Sequence, residues 1–217
     1  MQDLVPFLAQ ALSPGAVITE GVDRRPFETD FRGLVSHPAE CIVLPRSVEE
    51  VALTAQACAR RGVAVVPQGG NTGLVAGGVP APDRRQIILS LRRMNAIRAI
   101  DPVDNTMIVE AGVVLAMAQA AAAQHDRLLP LSLAAEGSCQ IGGNIATNAG
   151  GVQVVAYGSM RALVLGLEVV LADGRIWNGL RSVRKDNTGL DAKHLFIGTE
   201  GTMGIVCLLY TSDAADE

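Results

Sequence analysis

Thirteen of the 23 glycines in this 217-residue chain fall in three short windows, 67–78, 137–151 and 198–204. Glycine gathers where a backbone must take positive φ or come very close to something else. In Pro67-Gln-Gly-Gly-Asn-Thr-Gly-Leu-Val-Ala-Gly-Gly78 it lets successive N–H groups converge on one centre, a nest for phosphate oxygens, and Asn71 and Thr72 add small side-chain donors. Glu136-Gly-Ser-Cys-Gln-Ile-Gly-Gly-Asn-Ile-Ala-Thr-Asn-Ala-Gly-Gly151 repeats that chemistry with Ser138, Asn144, Thr147 and Asn148. An acidic protein can hold a pyrophosphate in this way, because local N–H dipoles and not net charge do the binding. One such loop reads equally well as a tight turn. Two, each after an apolar segment, point to a large phosphate-bearing ligand.

The usual nucleotide signatures do not apply. No glycine starts a G-x-G-x-x-G set, and Gly73 and Gly78 have Walker A spacing with Val79 where lysine is required. Cys41, Cys58, Cys139 and Cys207 form no C-x-x-C, and His37, His125 and His194 stand apart, so no metal or redox dithiol is read from spacing. Glu136 with Lys185 could form an acid–base pair, but spacing alone does not join them. The net charge of −4 gives no general pull on nucleic acid or acidic lipid, and the Arg-Arg pairs at 24–25, 60–61, 84–85 and 92–93 read as solvated faces.

The elements that must position these loops follow from periodicity and punctuation. A length of 217 residues suits one large domain or two small lobes, and 49% hydrophobic with 18% charged residues excludes a disordered chain. A short amphipathic helix is expected over residues 1–13, ended by Ser13-Pro14-Gly15. Cys41–Leu44 reads as a buried strand, and Ser47 with Glu50 as the capping box of a helix running to about Arg61. Val63–Val66 completes a β-α-β unit, which favours parallel pairing. Residues 87–89, 96–100 and 106–110 read as antiparallel strands, and 113–124 as an alanine-rich packing helix. A hairpin is expected over 163–177 with its turn at Asp173-Gly174. The expectation is an α+β fold of two small α/β lobes.

No apolar run reaches the 18 or so residues of a membrane span, since Glu168 interrupts the best candidate, 162–172. With no signal-peptide pattern and unpaired cysteines, the sequence predicts a soluble, cytoplasmic protein.

The five segments 67–78, 137–151, 165–174, Arg184-Lys-Asp-Asn-Thr-Gly189 and Phe196-Ile-Gly-Thr-Glu-Gly-Thr-Met-Gly-Ile-Val206 resemble, in order, the PCMH-type FAD-binding domain of the vanillyl-alcohol-oxidase flavoprotein superfamily. The likeness covers about residues 38–206 and is greatest to the branch of D-2-hydroxyglutarate dehydrogenase and D-lactate dehydrogenase-like FAD-linked oxidoreductases. It implies that Gln68, Gly69, Gly70, Asn71, Thr72 and Gly73 wrap the FAD pyrophosphate. Gly137, Ser138, Gly142, Gly143, Asn148, Gly150 and Gly151 would line the ribityl and flavin side, with Gly201 and Ile205 near the adenosine end. Some relatives attach flavin covalently through a histidine in the first loop. Asn71 stands there in this chain, so dissociable, non-covalent FAD is expected. Leu190 departs from the tyrosine usual after Lys-Asp-Asn-Thr-Gly, and Trp177 and Tyr157 read as core or flavin-edge packing.

The resemblance implies a flavin-dependent oxidoreductase acting on CH–OH groups, passing a hydride from C2 of a D-2-hydroxyacid to flavin N5 and the electrons on to an acceptor. The substrate-binding cation, the catalytic histidine and a divalent-metal site of such enzymes belong to a C-terminal substrate domain that this chain lacks, so no catalytic or metal residue is assigned here. A homodimer is compatible with the full-length form. Two alternatives remain: a stand-alone FAD-binding subunit that meets its substrate subunit in trans, and a non-catalytic module for another diphosphate ligand. The expected organisation is an N-terminal helical segment 1–37, the FAD-binding domain 38–206, and a tail 207–217. That tail resembles a translated sequencing-library adapter rather than the continuation of the strand begun at Gly204, and is expected to be non-native.

Overall fold

The computed structural model describes residues 3–183 and 185–212. Its order is α1 (Leu4–Ala11), β1 (Val17–Ile18), α2 (Gly21–Glu28), β2 (Ile42–Val43), α3 (Val48–Ala59), β3 (Ala64–Gln68), β4 (Gln86–Ser90), β5 (Ile97–Asp101), β6 (Thr106–Glu110), α4 (Leu115–Ala123), α5 (Ile141–Ala146), α6 (Val154–Tyr157), α7 (Met160–Leu163), β7 (Val164–Val170), β8 (Ile176–Gly179) and β9 (Ile205–Ser212). The strands make two sheets, β1-β2-β4-β3 and β5-β6-β9-β7-β8, so the fold is α+β with two lobes.

In the first lobe β2 and β3 both run parallel to β4, which lies between them. The β-α-β reading gave the right direction but missed the strand inserted between its two arms. Residues 87–89, expected as antiparallel, instead form this parallel central strand. All five residues of β4 are buried, as they must be in a parallel strand covered on both faces. Cys41, Val43 and Ile87 pack toward α1 and α3, while Ile42, Ile88 and Val66 pack with Phe27 of α2. The period-two alternation of a strand thus feeds two cores.

The N-terminal segment 1–37 carries α1 and α2 and packs into the first lobe. Leu4, Leu8, Leu12 and Ala16 sit in the same core as Val63 and Ile87, and Val17–Ile18 pairs with β2. Ser47 caps α3 by accepting from the Glu50 N–H at 3.3 Å. Only half of the capping box forms, because the Glu50 carboxylate accepts instead from the N–H groups of Ser13 (2.8 Å) and Arg46 (2.7 Å).

The second lobe is antiparallel, and its expected hairpin is present as β7 and β8. Central strand β9 pairs with β6 on one side and β7 on the other. It runs through Ser212, with Cys207, Leu208 and Leu209 buried. The expected domain end at Val206 therefore falls in mid-strand: an apolar string of this kind fills a slot between two paired neighbours. Residues 213–217 lie outside the described residues. A third core joins the lobes, with Val48, Val51 and Ala55 of α3 and Leu89, Leu91 and Met94 packed against Ala111, Val170, Ile205 and Cys207.

Candidate functional site

The cleft forms where the first glycine loop leaves β3 and meets the segment around α5. A cavity of about 290 Å³ is walled by Gly69, Gly70, Asn71, Thr72 and Gly73 on one side and by Cys139, Gln140, Gly143 and Asn144 on the other. A smaller one of about 60 Å³ continues toward Gly142, Gly201 and Ile205. Gln68, Gly69, Gln140, Gly143 and Glu200 line both.

The loop's shape is set by its own side chains. Gln68 Nε2 donates to the carbonyls of Phe27 and Gly78, both at 2.7 Å, closing the loop at its base. Asn71 takes a left-handed backbone (φ +54) and donates its Nδ2 to the Thr29 carbonyl at 2.7 Å. Its amide nitrogen, expected to serve a ligand, instead holds the loop to the first lobe. Gly70 is required for a reason the sequence did not show: a Cβ there would lie 2.0 Å from the Ser138 carbonyl oxygen. The two glycine loops touch backbone to backbone at this point. Gly201 is left-handed (φ +82) and a Cβ on it would sit 2.8 Å from the Pro67 ring, so it joins the third window to the first.

The second window is not the open loop expected. Ile141 and Ile145, one helical turn apart and buried, anchor α5 in the second lobe's core, and tertiary packing overrides the low helix propensity of Gly142 and Gly143. A Cβ on Gly143 would meet nothing, so this position opens onto the cavities.

Of the fifteen expected site residues, Gln68–Gly73, Gly142, Gly143, Gly201 and Ile205 line one cavity or both. Gly137, Ser138, Asn148, Gly150 and Gly151 do not. The Asn148 Oδ1 accepts from Ser159 Oγ and the Arg161 N–H, each at 2.9 Å, and a Cβ on Gly151 would meet the Ser132 carbonyl at 1.8 Å. Asn148 and Gly151 thus brace the segment that carries the cleft. Glu136 accepts from the Leu133 N–H at 3.0 Å and forms no ion pair with Lys185 among the described residues.

Two residues escaped the sequence reading. Gln140 Oε1 is buried without a hydrogen-bond partner and lies between the two cavities. Glu200 is exposed and left-handed (φ +53). Both lie inside quoted segments, 137–151 and 196–206, without having been singled out.

Cys139 lines the larger cavity, and burial pushes its thiol up despite a 3.6 Å contact from Asn144 Nδ2. It stays a neutral wall rather than a nucleophile. Cys41 and Cys58 are likewise pushed by burial up to about 12. Among the described residues, no Lys, Arg or His lines either cavity. A separate polar hollow of about 300 Å³ lies over β8, but its Arg181 and Lys193 pair with Asp186 and Asp191. Among the described residues no group of His, Cys, Asp and Glu is arranged to hold a metal, and no helix is long and apolar enough to cross a membrane.

The residues present fit a dinucleotide: a glycine-walled cleft with backbone at its surface, and a buried acceptor whose partner the protein does not supply. Two lobes meeting at such a cleft define the PCMH-type FAD-binding class. The solved structure of alkyldihydroxyacetonephosphate synthase superimposes with a TM-score of 0.86 over 99% of this chain and 41% of its own, at 24% identity, and shows the shared fold.

A family model described as an FAD binding domain matches residues 39–179, and the chain belongs to that family. It is 47% identical over 193 residues to mitochondrial D-2-hydroxyglutarate dehydrogenase of Bos taurus, covering 89% of this chain and 35% of the relative. The Danio rerio protein of the same name is 46% identical over 197 residues, covering 91% of this chain and 37% of the relative. The chain thus spans little more than a third of the length of these relatives. Both are named as mitochondrial, which overturns the cytoplasmic expectation. That expectation rested on unpaired cysteines and the lack of a secretory signal-peptide pattern, neither of which distinguishes the cytoplasm from the mitochondrion.

Proposed function

We propose that this chain is the FAD-binding part of a flavin-dependent dehydrogenase that oxidises a D-2-hydroxyacid of the 2-hydroxyglutarate kind to the 2-oxoacid, and that it holds FAD without a covalent bond. The observation that carries the FAD site is the cleft between the two glycine loops, with the unpartnered Gln140 Oε1 inside it. The D-2-hydroxyacid chemistry is supported by identities of 47% and 46% to proteins named for it.

When bound, FAD supplies the hydride acceptor. The protein's part is to place it. Backbone at Gly69, Gly70 and Gly73 is free of side-chain bulk where phosphate oxygens would sit, and the Gln68 and Asn71 amides hold that backbone in shape. Gly143 leaves the opposite wall open. Among the described residues no cation lines either cavity to clamp a substrate carboxylate, and no histidine to take its hydroxyl proton. Those tasks, the hand-over to an electron acceptor and the contacts of a homodimer are placed by this reading in the further length of the full protein.

The test is flavin content. The purified chain, mixed with FAD and gel-filtered, should be yellow and should release its FAD on acid precipitation. Gly143→Val, whose Cβ would enter open space, should lower that content at least tenfold while keeping a wild-type circular dichroism spectrum. Wild-type flavin content in a folded Gly143→Val protein would remove the cleft assignment. Adding D-2-hydroxyglutarate to the loaded chain should leave the flavin absorbance unchanged.

A further inference from the structure

Phosphates are not the only polar groups a dinucleotide presents. The wall shared by the two cavities carries two side-chain acceptors without a protein partner. One is Gln140 Oε1, buried and without a partner. The other is the Glu200 carboxylate, which has no hydrogen-bond or ion-pair partner among the described residues and reaches across toward Gly77, 3.1 Å from where a Cβ on Gly77 would lie. Glu200 is held there deliberately. Its N–H donates to the Ala146 carbonyl at the end of α5 (2.8 Å), the Gly198 N–H donates to the Ile145 carbonyl (3.0 Å), and Gly201 rests on the Pro67 ring. The segment therefore bridges α5 and the first glycine loop, with the carboxylate at their junction.

A carboxylate with no cation beside it repels phosphate and accepts hydrogen bonds from hydroxyls. We infer that this junction binds the vicinal hydroxyls of the cofactor, and that Glu200 with Gln140 is the pair that recognises them. The phosphates then lie toward Asn71–Gly73. FAD carries two such polyols, the adenosine ribose and the ribityl chain, and the adenosine ribose is the occupant assigned. This rests on the FAD reading above. Glu200 acts here as a specificity-determining residue: it favours a free diol and rejects a ligand with an extra phosphate at that position.

The experiment measures dissociation constants of FAD, ADP, 2′-deoxy-ADP, 3′-deoxy-ADP and FMN by calorimetry on the whole 217-residue chain. The variants are Glu200→Gly, which keeps the left-handed backbone without strain while deleting the carboxylate, and Glu200→Gln, which keeps one acceptor. Wild type should prefer ADP to at least one deoxy form by about tenfold or more, the size of a hydrogen bond to a charged group. Glu200→Gly should abolish that preference by weakening ADP alone, and Glu200→Gln should fall between. If Glu200→Gly weakens FMN and leaves ADP unchanged, the diol site stands and its occupant is the ribityl chain. If Glu200→Gly weakens all probes equally, leaves all unchanged or tightens them, while wild type still binds FAD, the diol assignment is overturned and the FAD site is not. If wild type binds none of the flavin or adenine probes, the FAD reading falls and takes this inference with it.

Discussion

At the scale of single residues the cleft is built by groups that hold one another. The sequence marked Gly70 as a place where backbone must approach phosphate, and the structure supplies another constraint, the Ser138 carbonyl of the neighbouring loop. Any side chain at Gly70 must part the two loops, so Gly70→Ala should lower the melting temperature of the flavin-free chain as well as its flavin content. Gly143→Val should touch flavin content alone. A Gly70→Ala apoprotein that melts with wild type would show that the loops yield freely. Asp30 works in the same spirit. Its Oδ1 accepts from the N–H groups of Leu34 and Val35, each at 2.7 Å, and it lies next to Thr29, whose carbonyl anchors Asn71. The Val35 N–H holds this carboxyl below the usual range, against the opposing effect of burial and with help from the Leu34 and Arg32 N–H groups. A depressed carboxyl contributes stability that is present above its unfolded value, near pH 4, and lost as pH falls through its lower folded value. Thermal midpoints between pH 7 and pH 3 should therefore drop on the acid side, and Asp30→Asn should flatten that limb while lowering the midpoint at pH 7. An equally steep limb in Asp30→Asn would assign it to other carboxyls. Positive φ and loop contacts were legible as glycine-rich composition; their partners were not, because Ser138 and Thr29 are distant in sequence.

Elements were legible where their pattern was local. The hairpin of β7 and β8 and the α3 cap could be read from Asp173-Gly174 and Ser47. The two misreadings share a cause. Strand β4 and helix α5 take their form from what surrounds them: β4 from parallel neighbours on both sides, α5 from Ile141 and Ile145 buried in the second lobe's core. Strand β9 takes its form from its surroundings in the same way: residues 207–212, set apart in the sequence by their likeness to a translated adapter, complete the strand that joins β6 to β7. A chain ending at Val206 loses the buried Cys207, Leu208 and Leu209 along with most of that pairing, and each buried leucine alone is worth about 2–5 kcal/mol. Such a chain should be recovered insoluble or without a melting transition, whereas one ending at Ser212 should melt with the 217-residue protein. A well-folded 1–206 chain would mean that β6 and β7 close on each other.

At the scale of the whole molecule, the cleft exists only while both lobes keep their places, so the core between them is as necessary to binding as the glycines. Leu89, Leu91 and Met94 of the first lobe and Ala111, Val170 and Ile205 of the second form one continuous apolar contact through α3. A contact of this kind makes two lobes melt as one. Trp177 is the chain's single tryptophan and lies in the second lobe, its ring 5.0 Å from that of Phe196, so its fluorescence reports that lobe. Leu8 is fully buried in the first lobe's outer core, away from the junction. Leu8→Ala should cost about 3 kcal/mol and lower the midpoint by about 6–12 °C for a chain of this size. If the lobes are one cooperative unit, Trp177 fluorescence should follow the circular dichroism signal down by the same amount. Saturating FAD should raise both midpoints together, since a ligand held by walls from both lobes stabilises only the state in which both are folded. A Trp177 transition that stays at the wild-type temperature while circular dichroism splits into two steps would show that the second lobe stands alone, and that the cofactor itself must then assemble the cleft.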